Sequence, residues 1–157
     1  MPNEFNANDI FEIAIKIEQN GAVFYRNAAK DIAEEENKKF LLELAAMEDN
    51  HEATFLNLQK ELKDKEKTST IFDPEDENLL YLKALADLRV FAKKEEPGDD
   101  FKSILYSAIQ AEKDSIVFYL GMKNLVSAKA GKTKLDEIIQ EEMSHIQLLA
   151  GKLSRQQ

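Results

Sequence analysis

The sequence predicts an all-α protein: a four-helix bundle made from two copies of one helical hairpin, joined by a long crossover that carries a short extra helix. Three observations predict it. Apolar residues recur at helical rather than strand spacing over most of the chain. Five glycines and three prolines in 157 residues leave little punctuation for a β architecture. The chain also repeats itself. Ile10, Ala14, Ile15, Val23, Phe24 and Tyr25 have identical counterparts 94 residues later, at Ile104, Ala108, Ile109, Val117, Phe118 and Tyr119. The expected organisation is one domain over residues 1–157, with repeat units at about 8–63 and 101–153 and a crossover at 64–100.

Asn8 or Asp9 can cap a first helix running to about Ala33, with an inward seam of Phe11, Ala14, Ile15, Glu18, Ala22, Tyr25 and Ala29. A second helix over about 35–63 carries Leu41, Leu44, Ala45, Glu48, His51, Phe55 and Leu58. Asp73-Pro74, a cap followed by proline at the first helical position, opens a shorter helix through about Phe91, whose leucine stripe reads as packing surface. Residues 95–100, Glu-Glu-Pro-Gly-Asp-Asp, form the clearest loop. The helix over 101–126 has the seam Leu105, Ala108, Ile109, Glu112, Ile116, Tyr119, and that over 129–153 has Leu135, Ile138, Ile139, Glu142, His145, Leu149. Gly131 and Thr133 locally suggest a turn at 131–133, but the repeat places it near 127–129. At 1.5 Å per residue, only legs of similar length bring Glu112 and Glu142 to one height, so the repeat decides.

The duplication extends to the charged residues of the seams. Glu18, Glu48 and His51 recur as Glu112, Glu142 and His145, again 94 residues on, and these are the only two histidines. Acidic residues fill roughly a fifth of the chain, so four at dictated positions have a chance of about one in a thousand. Each glutamate interrupts an otherwise apolar seam. A lone core carboxylate loses its charge or costs several kcal/mol, and four facing one another also repel. Two divalent cations remove both penalties. Glu-x-x-His spacing puts carboxylate and imidazole on one helix face, where they can share one ion. Such donors suit iron and manganese and are compatible with zinc, while zero cysteines exclude thiolate sites and clusters.

Tyr25 and Tyr119 follow Glu18 and Glu112 by seven residues and so share their faces. They read either as core packing with a satisfied hydroxyl or as hydrogen-bond partners of the carboxylates. Glu43 and Glu137 read as solvated surface, and Asp49 and Glu141, next to candidate ligands in sequence, as pointing elsewhere.

A net charge of −9 argues against nucleic acid and anionic membrane surfaces as partners. No basic segment followed by an apolar run opens the sequence, and nothing approaches 18 uninterrupted apolar residues. With no cysteine either, the expected location is the cytoplasm.

A glutamate from each of two helices plus Glu-x-x-His from each of two others resembles the ligand pattern of ferritin-like di-iron carboxylate proteins. Within that superfamily the phrases AIKIEQNGAVFY, LAAMEDNHEATF, AIQAEKDSIVFY and IIQEEMSHIQLL are most similar to rubrerythrin-like proteins, over roughly residues 8–153. The resemblance implies a ferritin-like bundle holding two iron ions. Glu48 and Glu142 would bridge them, Glu18 and Glu112 would be terminal carboxylates, and His51 and His145 would give one nitrogen each. Two departures stand out. The rubredoxin module of full-length rubrerythrins needs paired Cys-x-x-Cys, absent here, so electrons would come from an external donor such as a separate rubredoxin-like protein. The extra glutamate that rubrerythrins tend to carry one turn after the third-helix ligand is Ser115, and its repeat mate is Gly21, which counts against peroxidase chemistry through iron movement.

The implied function is a di-iron oxidoreductase reducing O2 or H2O2, as a rubrerythrin-like peroxidase or oxidase or as a ferroxidase. Alternatives are iron storage of the ferritin type and a non-catalytic helical binding module. The sequence stops about four residues past its last helix, without the fifth helix often used in ferritin cages, so a homodimer or small homo-oligomer is expected.

Overall fold

The computed structural model describes residues 7–61, 100–123 and 129–156. Four helices fill them: α1 Ala7–Lys30, α2 Glu35–Glu61, α3 Phe101–Lys123 and α4 Lys129–Ser154, with no strand among the described residues. The starts of α1 and α3, and those of α2 and α4, are each 94 residues apart. The described helices thus follow the 94-residue offset read in the sequence. The expected helix near 74–91 lies outside the described residues.

Local chemistry sets the ends. α1 begins at Ala7, so Asn8 and Asp9 sit inside its first turn and neither is the cap. It ends at Lys30, three residues before the expected limit, where Asp31 and Ile32 donate to Ala28 and Ala29 at 3.2 and 3.3 Å and tighten the last turn. Ahead of α2, the Glu34 carbonyl accepts from Lys38 at 2.9 Å, and the Glu34 carboxylate accepts from Asn37 at the same distance. Asp100 caps α3, its carboxylate accepting the Ser103 amide at 2.7 Å. The Ser103 side chain, and then this amide, hold the Asp100 carboxyl below its usual range. α4 runs unbroken through Gly131 and Thr133, so the turn is not at 131–133.

α1 packs along α2 and α3 along α4; the hairpins meet through α1 with α3 and α2 with α4. Two apolar layers hold them together. One joins Ile10, Phe11, Ala14 and Ile15 to Phe55, Phe118, Tyr119, Leu135 and Ile138. The other joins Tyr25, Ala28 and Ala29 to Leu41, Leu44, Ile104, Leu105 and Leu149. Each layer takes opposite ends of neighbouring helices, so all adjacent helices run antiparallel. α2 ends in the first layer and α3 begins in the second, which is why a short turn cannot link them. Between the layers lies a polar one.

The expected seams are buried almost throughout. The exceptions are Ile109 and Ile116, half-buried on α3, where Ser115, Phe118 and Met122 face inward as well. Packing against two neighbours turns α3 slightly from the face that its most apolar residues would choose.

Candidate metal centre

The polar layer consists of Glu18, Glu48, His51, Glu112, Glu142 and His145, each at most 3% exposed. Ligand-capable atoms fall into two compact groups, Glu18–Glu48–His51–Glu142 and Glu48–Glu112–Glu142–His145, each spanning no more than 4.8 Å. Glu48 and Glu142 belong to both.

The geometry shows how they are shared. His51 Nδ1 lies 2.9 Å from Glu142 Oε1, 3.5 Å from Glu18 Oε2 and 3.6 Å from Glu48 Oε2. His145 Nδ1 lies 3.2 Å from Glu142 Oε2, 3.5 Å from Glu112 Oε1 and 3.7 Å from Glu48 Oε1. Glu48 and Glu142 thus turn one oxygen toward each histidine, while Glu18 and Glu112 each serve one side. The imidazole rings stack between them, centroids 5.6 Å apart and planes within 18°.

Tyr25 donates to Glu112 Oε1 at 2.7 Å and Tyr119 to Glu18 Oε1 at 2.5 Å. Of the two readings of these tyrosines, contact with the carboxylates is the one observed, and it crosses the repeat: each half's tyrosine serves the other half's glutamate. Burial, then the neighbouring carboxylates, push both phenols well above 10, so they remain donors at neutral pH.

Without bound ions the layer balances its charge with protons. Burial and then the facing carboxylates raise Glu48 and Glu142 well above the usual range. Burial also pushes Glu18 up, but the adjoining Glu48 and His51, with the Tyr119 hydroxyl behind them, hold it below its ordinary value. Glu112 likewise falls to about 2 against its burial, through Glu142, His145 and Glu48. Burial would lower both imidazoles; Glu142 and Glu18 instead raise His51 to about 11, and Glu112 and Glu142 raise His145 to about 9. These directions place protons on Glu48, Glu142 and the two imidazoles in preference to Glu18 and Glu112, an arrangement that would leave the layer neutral.

The protons do not satisfy every atom. Glu18 Oε2, Glu48 Oε1, Glu112 Oε2, Glu142 Oε2 and His145 Nδ1 are buried with no hydrogen-bond partner among the described residues. Buried polar atoms are rarely left so, and five in one layer, all carboxylate oxygens or an imidazole nitrogen, are the donors a pair of cations takes. The residues present fit two hard or borderline divalent ions.

The family model for rubrerythrin matches residues 9–153. The chain belongs to the rubrerythrin family. This rubrerythrin-family chain also superposes on a solved structure from Thermotoga maritima, provisionally described as a ferritin-like diiron-carboxylate protein, with a TM-score of 0.73, 24% identity and full coverage of both chains. At that identity the likeness shows the fold, which is ferritin-like. No match is found among curated proteins. No described helix is long and apolar enough to cross a membrane.

Two residues beside the layer escaped the sequence reading. Glu141 points away from its own seam, yet its Oε2 lies 2.5 Å from His51 Nε2. Met47, its repeat mate, places Sδ 3.1 Å from His145 Nε2. Each stands four residues before a histidine of its own helix, hence near that face, and reaches across to the other histidine. That spacing was the available signal. Asp49 does turn outward to Arg26, and Glu43 and Glu137 are exposed.

Proposed function

We propose that the six residues hold two iron ions, Glu48 and Glu142 bridging them, and that the centre reduces O2 or H2O2 with electrons from a separate donor. The observation that carries this reading is the shared pair: two carboxylates each present one oxygen to each histidine side, and every carboxylate in the layer keeps an unpartnered oxygen. When bound, a diferrous pair supplies two electrons to a small oxidant.

The chain's own residues set the conditions for that chemistry. Tyr25 and Tyr119 fix the outer carboxylates through Glu112 Oε1 and Glu18 Oε1; Oε2 of each stays without a hydrogen-bond partner, Glu18 facing His51 with that atom and Glu112 facing His145 with Oε1. The two apolar layers exclude bulk water above and below. A cavity of about 390 Å3 between α2 and α4 reaches His51 and His145, large enough for a diatomic oxidant or peroxide. Within these 157 residues no cysteine offers a second redox iron, which is why the reading takes its electrons from a separate donor or from Fe(II).

Ser115, one turn past Glu112, is buried, and its Oγ donates to the Ala111 carbonyl at 3.0 Å. It supplies no additional carboxylate, so the side chains that would hold the ions remain the three matched pairs Glu18/Glu112, Glu48/Glu142 and His51/His145. The deciding experiment loads Fe(II) anaerobically and follows oxidation by stopped flow with each oxidant, in wild type and Ser115→Glu. Wild type is expected to react with O2 at least as fast as with H2O2, and the variant to shift toward peroxide. A wild-type centre many times faster with H2O2 would restore the peroxidase reading and remove Ser115 as the determinant. Failure to bind iron would end the proposal.

A further inference from the structure

The cavity beside the centre is lined by Met47, Asn50, His51 and Thr54 of α2 and by their mates 94 residues later in α4. It is two-fold by construction and unequal in content. Both imidazoles turn Nδ1 toward the carboxylates and Nε2 toward this cavity. His51 Nε2 meets a carboxylate oxygen of Glu141 at 2.5 Å, whereas His145 Nε2 meets the Met47 sulfur at 3.1 Å. A carboxylate is a strong acceptor and a thioether a weak one.

An imidazole that binds an ion through one nitrogen is oriented, and made a better donor, by what its other N–H is bonded to. With an ion bound at Nδ1, Glu141 would hold His51 with its remaining N–H on Nε2, and Met47 would do this only feebly for His145. Glu141 is 61% exposed and on the far side of the ring, so it is not itself placed to ligate an ion in the layer.

We propose that Glu141 is a positioning residue that makes the two ion positions unequal, so that the Glu18–Glu48–His51–Glu142 position binds more tightly and fills before the Glu48–Glu112–Glu142–His145 position. This rests on the two-ion reading above and adds an order of filling to it. A centre symmetric in its ligands becomes directional through one contact outside them.

The test titrates metal-free protein with Co(II) under nitrogen, following heat and visible absorption, in wild type, Glu141→Met and Met47→Glu. Wild type is expected to bind in two steps. Glu141→Met should weaken the tighter step alone by about 10- to 100-fold and draw the two together. Met47→Glu should strengthen the weaker step. Proton NMR of the Co(II) form gives an independent reading: a shifted, slowly exchanging His51 Nε2–H signal in wild type, lost in Glu141→Met. Absence of Co(II) binding in every protein would defeat the two-ion reading itself. Two ions bound in equal steps, or a Glu141→Met change that weakens both steps alike or neither, would overturn the inference while leaving that reading standing.

Discussion

The two halves of the chain, residues 7–61 and 101–154, match in the polar layer and diverge in the cavity beside it. Inside, Glu18, Tyr25, Glu48 and His51 superimpose in role on Glu112, Tyr119, Glu142 and His145. At the edge, Met47 stands where its mate is Glu141, Asn50 where its mate is Ser144, and Thr54 where its mate is Leu148. The inner residues are constrained together, because each carboxylate's charge is bearable only if the other five groups answer it. An edge side chain answers to one neighbour and to solvent. The difference at Met47 and Glu141 still reaches the centre through the histidine rings.

The comparison breaks most sharply at the shared carboxylates. Glu48→Gln or Glu142→Gln should cut bound iron from about two per chain to below one, because both positions lose a donor. Glu18→Gln or Glu112→Gln should leave about one. Metal analysis after anaerobic reconstitution measures this; equal losses in all four variants would contradict the division into shared and one-sided ligands.

Stability of the ion-free protein should depend on pH in a stated direction. Glu48 and Glu142 have raised values when folded, so their contribution is full below 4.5 and is lost as pH rises through those values. His51 and His145 contribute fully below 6.5 and lose that contribution as pH rises through about 11 and about 9. Glu18 and Glu112 act oppositely: their share is present above 4.5 and is lost as pH falls, toward about 2 for Glu112. The melting temperature of apoprotein should therefore peak near 4.5 and decline steadily toward 9. The loaded protein should melt higher at neutral pH, by about 2.7 kcal/mol of added stability for an ion at 100 times its Kd. An apoprotein that grows more stable between pH 5 and 8, about the middle of this range, would contradict the assignment.

The same charges predict proton release. Loading two divalent ions at neutral pH should displace about four protons, two from Glu48 and Glu142 and two from the imidazoles. A pH indicator in weak buffer reads it directly, and release near zero would mean that the layer is already deprotonated.

The smallest effect sharpens the cross-repeat contacts. Tyr25→Phe and Tyr119→Phe each remove a donor to a buried charged carboxylate, costing about 1.5–3 kcal/mol. The shorter bond, Tyr119 to Glu18, should cost more when lost. Urea unfolding of the two variants compares them; a negligible cost in both would return the tyrosines to plain packing.

By itself the sequence determined the helices, the duplicated hairpin, the inward seams and the six polar residues within them. Helical spacing orders side chains on a face before any partner is present, and four carboxylates on apolar seams imply a common compensating charge. Only the tertiary structure decided which residue meets which across the bundle. Tyr25 could be placed on the Glu18 face by spacing, yet it bonds to Glu112, 87 residues away, because α1 lies against α3. Glu141, a neighbour of Glu142 in sequence, should point away from its seam, and it does leave the centre. The α2–α4 groove brings His51 Nε2 to that outer side, so a residue turned from the core still touches a ligand candidate. The turn of α3 that buries Ser115 and Phe118 and leaves Ile116 half-exposed has the same origin. Periodicity defines a face to within one residue's rotation, and packing against two neighbours fixes the remainder.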